Sequence, residues 1–523
     1  MNGFDTRAAR ATFLWVFGLT LGVKVGLAAW LPFSGDEAFF YQWGVHPAWG
    51  YSDHPPMVGW LLWALRSAFG DAPLALRSVT VLVTSLLGLG VVDLARRLLP
   101  PAREAAAWLA GAVYLALPFS WLFVLVTTDT PLIFFMGASA WCFVRAELAE
   151  RPALWYAAAG VLLGAAFLSK YFAVLLGLGY ALWILGWRRG RWWALPLGAA
   201  GAAPAVALHL WFNAHHGWTN VMFNVYNRNE DAAWSLADFA VYVVMMAYLL
   251  TPWLLWQAAR VRDGSARPKA ARLVALLWIV PYAALALVAT RRSVGLHWVL
   301  GFVPVFVLWA GLRLSPAALA RSLKWTGWLA VPHALALVAL LAAPLAWWQS
   351  SKSFPSLVFL REAPAIATAL TRELPEGATL MARAYSPAAV LAYHAGRYVP
   401  VFGTGRFHAR QDDLLVDFRA FEGKALRIDD RKPFAEAEFA PYFERVRTAS
   451  FSVAGQTFHY LDGEGFRFQP YRDTLLQQAV DRYYQIPARL PILGSPFCER
   501  YGFASCSPGR GAAAAGAAPT DPR

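Results

Sequence analysis

Residues 34–56 read SGDEAFFYQWGVHPAWGYSDHPP. This stretch follows a long apolar run and precedes an amphipathic segment. It carries the adjacent carboxylates Asp36 and Glu37, then an aromatic patch, then Asp53 and His54 beside Pro55-Pro56. Ionisable groups at the edge of an apolar span cost free energy and are kept there for function or for an interfacial turn. The stretch therefore reads as the floor of a site at a membrane boundary, with the other polar loops of the chain facing it.

The bulk composition agrees. Of 523 residues, 58% are hydrophobic, 15% aromatic and 15% charged, whereas a soluble domain carries roughly a quarter charged residues. Apolar runs near twenty residues long mark membrane helices. They fall at 12–31, 74–94, 105–123, 130–147, 154–169, 171–187, 193–213, 236–257, 271–290, 296–312 and 325–347, which predicts about eleven spans. The least secure boundary is Ser169-Lys170, where two short spans and one kinked span are both open. Arg7 and Arg10 before the first run resemble a signal peptide, but no small-residue cleavage site follows, which favours an uncleaved first helix.

The net charge of +14 does not point to nucleic acid, because no basic face with interleaved aromatics exists. With the N-terminus in the cytoplasm, the loops holding Arg96-Arg97-Arg103, Arg145-Arg151, Arg188-Arg189-Arg191, Arg260–Arg272 and Arg313-Arg321-Lys324 all fall on the cytoplasmic side. The opposite side receives residues 36–56, Asp129, Lys170, the 214–235 loop, Arg291-Arg292 and everything after Trp348. Arg291-Arg292 breaks the charge rule, which suggests another job. The segments 36–49 and 57–69, rich in Trp and Phe, read equally well as helices in the interface plane or as an aromatic belt.

Three units follow: a membrane part at 1–349, a small α/β domain at 350–507 and a Gly/Ala/Pro-rich tail at 508–523 expected to be disordered. Strands are expected near 379–382, 397–401, 425–428 and 443–461, with helices at 361–374 and 386–395. The fold class is thus mainly α, polytopic, with a small C-terminal α/β domain. Cys142 lies inside a span, and Cys498 and Cys506 are placed to pair if the tail meets an oxidising compartment. Neither a phosphate loop nor a strand-borne dinucleotide motif is present, so no nucleotide cofactor is expected.

Taken together, Asp36-Glu37 after the first span, Tyr51-Ser52-Asp53-His54-Pro55-Pro56, Thr128-Asp129-Thr130-Pro131-Leu132 opening a span, and Ser169-Lys170-Tyr171 resemble the GT-C glycosyltransferases, close to the bacterial lipid A aminoarabinose transferases and protein O-mannosyltransferases. Each motif alone is of low specificity; their order, spacing and common side carry the resemblance, over roughly residues 10–350. It implies transfer of a sugar from a polyprenyl-phosphate donor to a lipid, glycan or protein acceptor on the periplasmic face of a bacterial inner membrane, with inversion.

The resemblance assigns Asp36 as catalytic base. Partial desolvation just past a span would raise its pKa toward a useful base; the bland alternative is a helix N-cap, since Ser34 and Asp36 precede a helical segment. Glu37 is read as support. Asp53-His54-Pro55 stands where the aminoarabinose transferases have Glu-Lys-Pro. There the acid helps hold a divalent cation and the lysine contacts the donor phosphate. The exchange of Lys for His54 leaves the need for a metal open, and an interfacial turn is the competing reading. Asp129 doubles as a helix start before Pro131. Lys170, Arg228 in the 214–235 loop, and Arg291-Arg292 are the remaining outward cations suited to a phosphate. For Lys170 and for Arg291-Arg292, snorkelling to headgroups is the alternative. His215-His216 read as loop surface, and Tyr385 and His394 as core. The competing function is a flippase of lipid-linked sugar, which should show mid-span charges; Lys24 is the main one.

Overall fold

The computed structural model describes residues 5–227, 233–261, 268–405 and 411–506. The chain forms two compact units. The first comprises Met1–Leu31, Trp60–Ala207 and Ala232–Ala343, and the second Pro32–Gly59, Leu208–Asp231 and Pro344–Arg523.

The first unit is helical throughout. Every expected apolar segment forms helix, but the number of spans is not established as eleven. Among the described residues, seven helices are long and apolar enough to cross a membrane, and the pair Leu236–Leu249 and Pro252–Arg260, bent by 82°, makes an eighth. The bend and other breaks follow from proline. Thr251 sits at φ 54° before Pro252, and the 105–123 run breaks at Leu117 into Glu104–Ala116 and Pro118–Leu122. Proline removes a donor and disfavours helical geometry in the residue before it. The Ser169-Lys170 boundary is a true break: Ala153–Phe167 and Ala173–Trp187 are separate helices.

The core of this unit is built from Phe13, Val113, Tyr114, Leu115, Ile133, Phe302 and Phe306, all fully buried. Arginines of the basic loops cap helix ends, where carbonyls lack intrahelical partners. Arg103 donates to Leu312 O (3.1 Å) and Leu314 O (2.6 Å), Arg191 to Ala146 O (3.0 Å), and Arg313 to Ala258 O (2.8 Å) and Val261 O. Arg77, fully buried, holds the end of the first helix through Ala28 O (3.0 Å) and Leu31 O (2.7 Å).

Lys24, also buried in this unit, donates to Thr84 Oγ1 (3.1 Å) and Ser85 Oγ (2.7 Å). Two hydroxyl acceptors from a neighbouring helix satisfy it inside the bundle, which gives the main mid-span charge a packing explanation.

The second unit contains a four-stranded sheet in the order β1-β2-β4-β3, with β1 Thr379–Ala382, β2 Leu426–Asp430, β3 Arg445–Val453 and β4 Gln456–Glu464. β1 and β2 are parallel and the other pairs antiparallel. The strand expected at 397–401 contributes only a bridge from Val401 to Ala382. The helix expected over 361–374 is found as Ala363–Thr371, preceded by a further helix Phe354–Arg361, and Tyr385–Ala395 lies where expected. Cys498 and Cys506 form a disulfide.

One expectation is overturned. The helix Gly35–Val45 does not have one wet and one lipid face: residues 37–44 are all buried. Its aromatic side chains, with Phe33 just before it, pack on the helix Tyr385–Ala395 instead. Phe33 stacks on Tyr393 (centroids 4.1 Å), Phe39 meets Tyr385 (4.9 Å) and Tyr41 meets Tyr393 (5.0 Å). The aromatic run is core, and Tyr385 belongs to it.

Candidate active site

The second unit positions the acidic stretch. Ser34 caps the helix Gly35–Val45: Glu37 N donates to Ser34 Oγ (3.3 Å) and Ser34 N to Glu37 Oε2 (3.4 Å). This reciprocal capping box satisfies two donors at the helix start. Glu37 is fully buried, so its charge serves the cap. Asp36, one residue earlier, is exposed. It is not the capping residue, which is Ser34. It sits on the capped first turn of that helix. The helix start is tightly seated, since a Cβ at Gly35 would lie 1.8 Å from Ser386 Oγ.

The turn that follows is held on several sides. Tyr51 is buried and stacks on Trp43 (4.1 Å, interplanar 4°), while its hydroxyl donates to Trp43 O (2.9 Å). Burial pushes that phenol well above its usual range. Ser52 N donates to Gln411 Oε1 (3.0 Å). Asn220 and Asn224, four residues apart, donate to Tyr51 O (3.2 Å) and Asp53 O (2.8 Å). His54 Nδ1 lies 3.2 Å from Asp53 Oδ2, and the ring is surrounded by Phe40, Trp43 and Phe223. The other carboxylate oxygen, Asp53 Oδ1, is buried with no hydrogen-bond partner among the described residues. An orphaned carboxylate oxygen fits a cation or a substrate donor. No group of three His, Cys, Asp or Glu side chains converges among the described residues. A cation here would therefore rely on water and substrate oxygens, as magnesium-type ions commonly do.

In the first unit, Lys170 and Asp129 form one buried ion pair. Lys170 Nζ lies 2.9 and 3.1 Å from the two carboxylate oxygens. Asp129 opens the helix Asp129–Leu148, and Lys170 comes from the break before Ala173–Trp187. Thr127 Oγ1 accepts from Asp129 N (3.2 Å), and Thr130 hydrogen-bonds Thr80 (2.9 Å). Both residues singled out from sequence are thus together, but the lysine's charge is already met by a carboxylate.

Arg291 is exposed, with its guanidinium 5.9 Å from the Trp234 ring centroid, and Arg292 is partly buried. Both follow the end of the helix Pro268–Ala289, where cations complement the helix dipole. Arg228 lies outside the described residues. His215 and His216 donate their Nδ1 protons to Trp211 O and Phe212 O, both at 2.8 Å, consistent with a local role. Asn220, Asn224 and Gln411 were not found from sequence. The i, i+4 spacing of the two asparagines was the available signal, but their partners lie 169 and 171 residues away.

Residues 53–212 match the family model described as dolichyl-phosphate-mannose-protein mannosyltransferase. The many-helix membrane unit, the small sheet and the matches below make this chain similar to membrane glycosyltransferases. It is 26% identical over 473 residues to the lipid A galacturonosyltransferase RgtD of Rhizobium johnstonii, covering 87% of this chain and 91% of that protein. Its fold is similar to that of ArnT from Cupriavidus metallidurans. The apo structure matches with TM-score 0.60 at 18% identity, over 87% of this chain and 98% of ArnT. ArnT bound to undecaprenyl phosphate matches with TM-score 0.60 at 17% identity, over 86% and 97%.

Proposed function

We propose that the chain transfers a sugar from a polyprenyl-phosphate donor to a lipid or other envelope acceptor, lipid A being the first candidate, on the periplasmic face of a bacterial inner membrane. The observation that carries this reading is an aspartate, Asp36, on a capped and tightly packed first turn, in a chain similar over most of its length to a lipid A glycosyltransferase.

The reaction is a single inverting displacement. Asp36 takes the proton of the acceptor hydroxyl, whose oxygen bonds to the anomeric carbon. The bond from that carbon to the phosphate oxygen breaks, and the polyprenyl phosphate leaves as an anion. His54, Lys170, Arg228, Arg291 and Arg292 are the cationic or donor groups assigned to this anion. Charge stabilisation of a leaving oxygen is a large catalytic contribution. Glu37 supports Asp36 by fixing the turn that bears it. Asp129 orients Lys170. If a divalent cation is used, Asp53 Oδ1 is its protein ligand, and the ion supplies additional positive charge.

The disulfide in the C-terminal region supports an oxidising compartment for it, and the basic loops support cytoplasmic placement of the opposite ends. The division at 349/350 into a membrane part and an outer domain, with a tail from 508, is part of the same reading. A flippase is not favoured, since the relatives named above are transferases and Lys24 is satisfied by packing.

The test is mass spectrometry of lipid A, glycans and envelope proteins from a strain lacking the chain. Loss of one sugar from one class, restored by the wild-type gene and not by Asp36→Asn, is expected. An unchanged envelope would overturn the proposal.

A further inference from the structure

Two π-helical turns occur among the described residues, Met222–Tyr226 and Arg472–Leu476. Such turns are uncommon and are frequent at functional sites. Both belong to the second unit, and both lead to one cavity. The first turn lines it directly. The second runs straight into the helix Gln477–Tyr483, whose end lines the other side. The cavity measures about 380 Å³ and is bounded by Met222, Val225, Tyr226 and Asn227 on one side and by Asp481, Arg482 and Gln485 on the other. That volume lies within the range of small-ligand sites, roughly 300–1,000 Å³.

The lining is mixed, with Met222 and Val225 as its aliphatic part. It presents a carboxylate, a guanidinium and two carboxamides, each amide both donor and acceptor, around a tyrosine. Tyr226 is fixed by Arg489, whose Nη2 donates to the phenol oxygen (2.7 Å) and whose guanidinium lies over the ring (5.7 Å). Asp481 is set by Gln477, whose amide donates to Oδ1 (2.8 Å). Adjacent hydroxyls of a pyranose need paired donors and acceptors of this kind, and the C–H face of a sugar ring packs on an aromatic surface. A simple anion site would not place Asp481 in the lining.

The cavity is also tied to the turn described above. Asn224, within the first π-helical turn, donates to Asp53 O (2.8 Å). Phe223, its neighbour, faces the His54 ring (6.4 Å). One short segment therefore lines the cavity with Met222 and Tyr226 and holds the Asp53-His54 turn with Asn224.

We propose that this cavity is a pyranose-binding subsite that receives the sugar head of the acceptor. The inference rests on the transferase reading for the word acceptor, but not for the sugar site itself. Asp481 and Gln485 bind ring hydroxyls, Arg482 takes an oxygen or an anionic substituent, and Tyr226 packs on the ring.

The full chain in detergent micelles is probed with chitobiose by saturation-transfer NMR, and with detergent-dispersed lipid A in a transfer assay. Asp481→Ala/Gln485→Ala is the test variant. Both side chains are exposed, and Gln485→Glu alone serves as a second, milder change. The expected results are saturation transfer to chitobiose on the wild type, at least tenfold weaker on the double variant, and an acceptor KM raised about tenfold with donor KM unchanged. Equal chitobiose signals on both proteins, or none on the wild type, overturn the subsite. Active wild type with an unchanged acceptor KM in the variant overturns its acceptor role. Chitobiose binding that the variant abolishes, in a protein that transfers nothing, refutes the transferase reading and leaves the sugar site standing.

Discussion

Replacing Lys170 by Met separates holding the fold from handling a phosphate. The ammonium lies 2.9 and 3.1 Å from the two oxygens of Asp129, and the side chains are only 11% and 7% exposed. Removing the lysine alone strands a carboxylate in a site that water scarcely reaches. Losing one partner of a buried pair costs about 3–5 kcal/mol, whereas removing both charges is often neutral. Lys170→Met should therefore lower the unfolding free energy in detergent by about 3–5 kcal/mol, and Asp129→Asn/Lys170→Met should return to within about 1 kcal/mol of the wild type. Activity distinguishes the roles. If the ammonium serves the leaving phosphate, the stable double variant should still lose about a hundredfold or more in turnover. A double variant as unstable as Lys170→Met, or a single variant costing less than about 1 kcal/mol, refutes the account of the pair. A stable and active double variant confines Lys170 to structure.

Gly35→Ala places a methyl 1.8 Å from Ser386 Oγ and 3.1 Å from its Cβ; it should displace the first turn and cut activity about tenfold or more, with Gly35→Ala/Ser386→Gly recovering most of it in the same transfer assay. Asp429, buried in β2, has its carboxyl pushed up to about 7 by desolvation and then by the Asp430 carboxylate. Between the unfolded value near 4 and about 7 the folded chain binds the extra proton, so stability falls as pH rises through that window. Asp429→Asn should therefore be more stable than wild type above pH 7, by on the order of a few kcal/mol, and no more stable below pH 4. A variant whose stability tracks the wild type across pH 4–8 would contradict this.

Much of the membrane unit was legible because its signals are local. A run of apolar residues needs a helix whatever surrounds it, and Arg96, Arg97, Arg103 and Arg313 mark where helices end. The residues Ser34 to Glu37 also spell a capping box, and the structure contains it, although the sequence reading put the cap on Ser34 and Asp36. The aromatic patch was misread because Trp, Phe and Tyr suit a lipid interface and a protein core alike. Only its partners, Tyr385 and Tyr393, far along the chain, decide between them. The pairing of Lys170 with Asp129 was open to inference, since opposite charges had been placed on one side. The grip of Asn220, Asn224 and Gln411 on the 51–53 turn was not, because those contacts join segments separated by 169 to 359 residues.

The role of Asp36 is tested most directly with purified protein in detergent, a polyprenyl-phosphate-linked sugar and dispersed lipid A, scoring acceptor-dependent release of polyprenyl phosphate. Donors carrying galacturonic acid and aminoarabinose are tried in turn. The account predicts turnover by the wild type with one donor, and a loss of about a hundredfold or more in Asp36→Asn at unchanged donor binding. Asp36→Asn retaining more than about a tenth of the wild-type rate would contradict it.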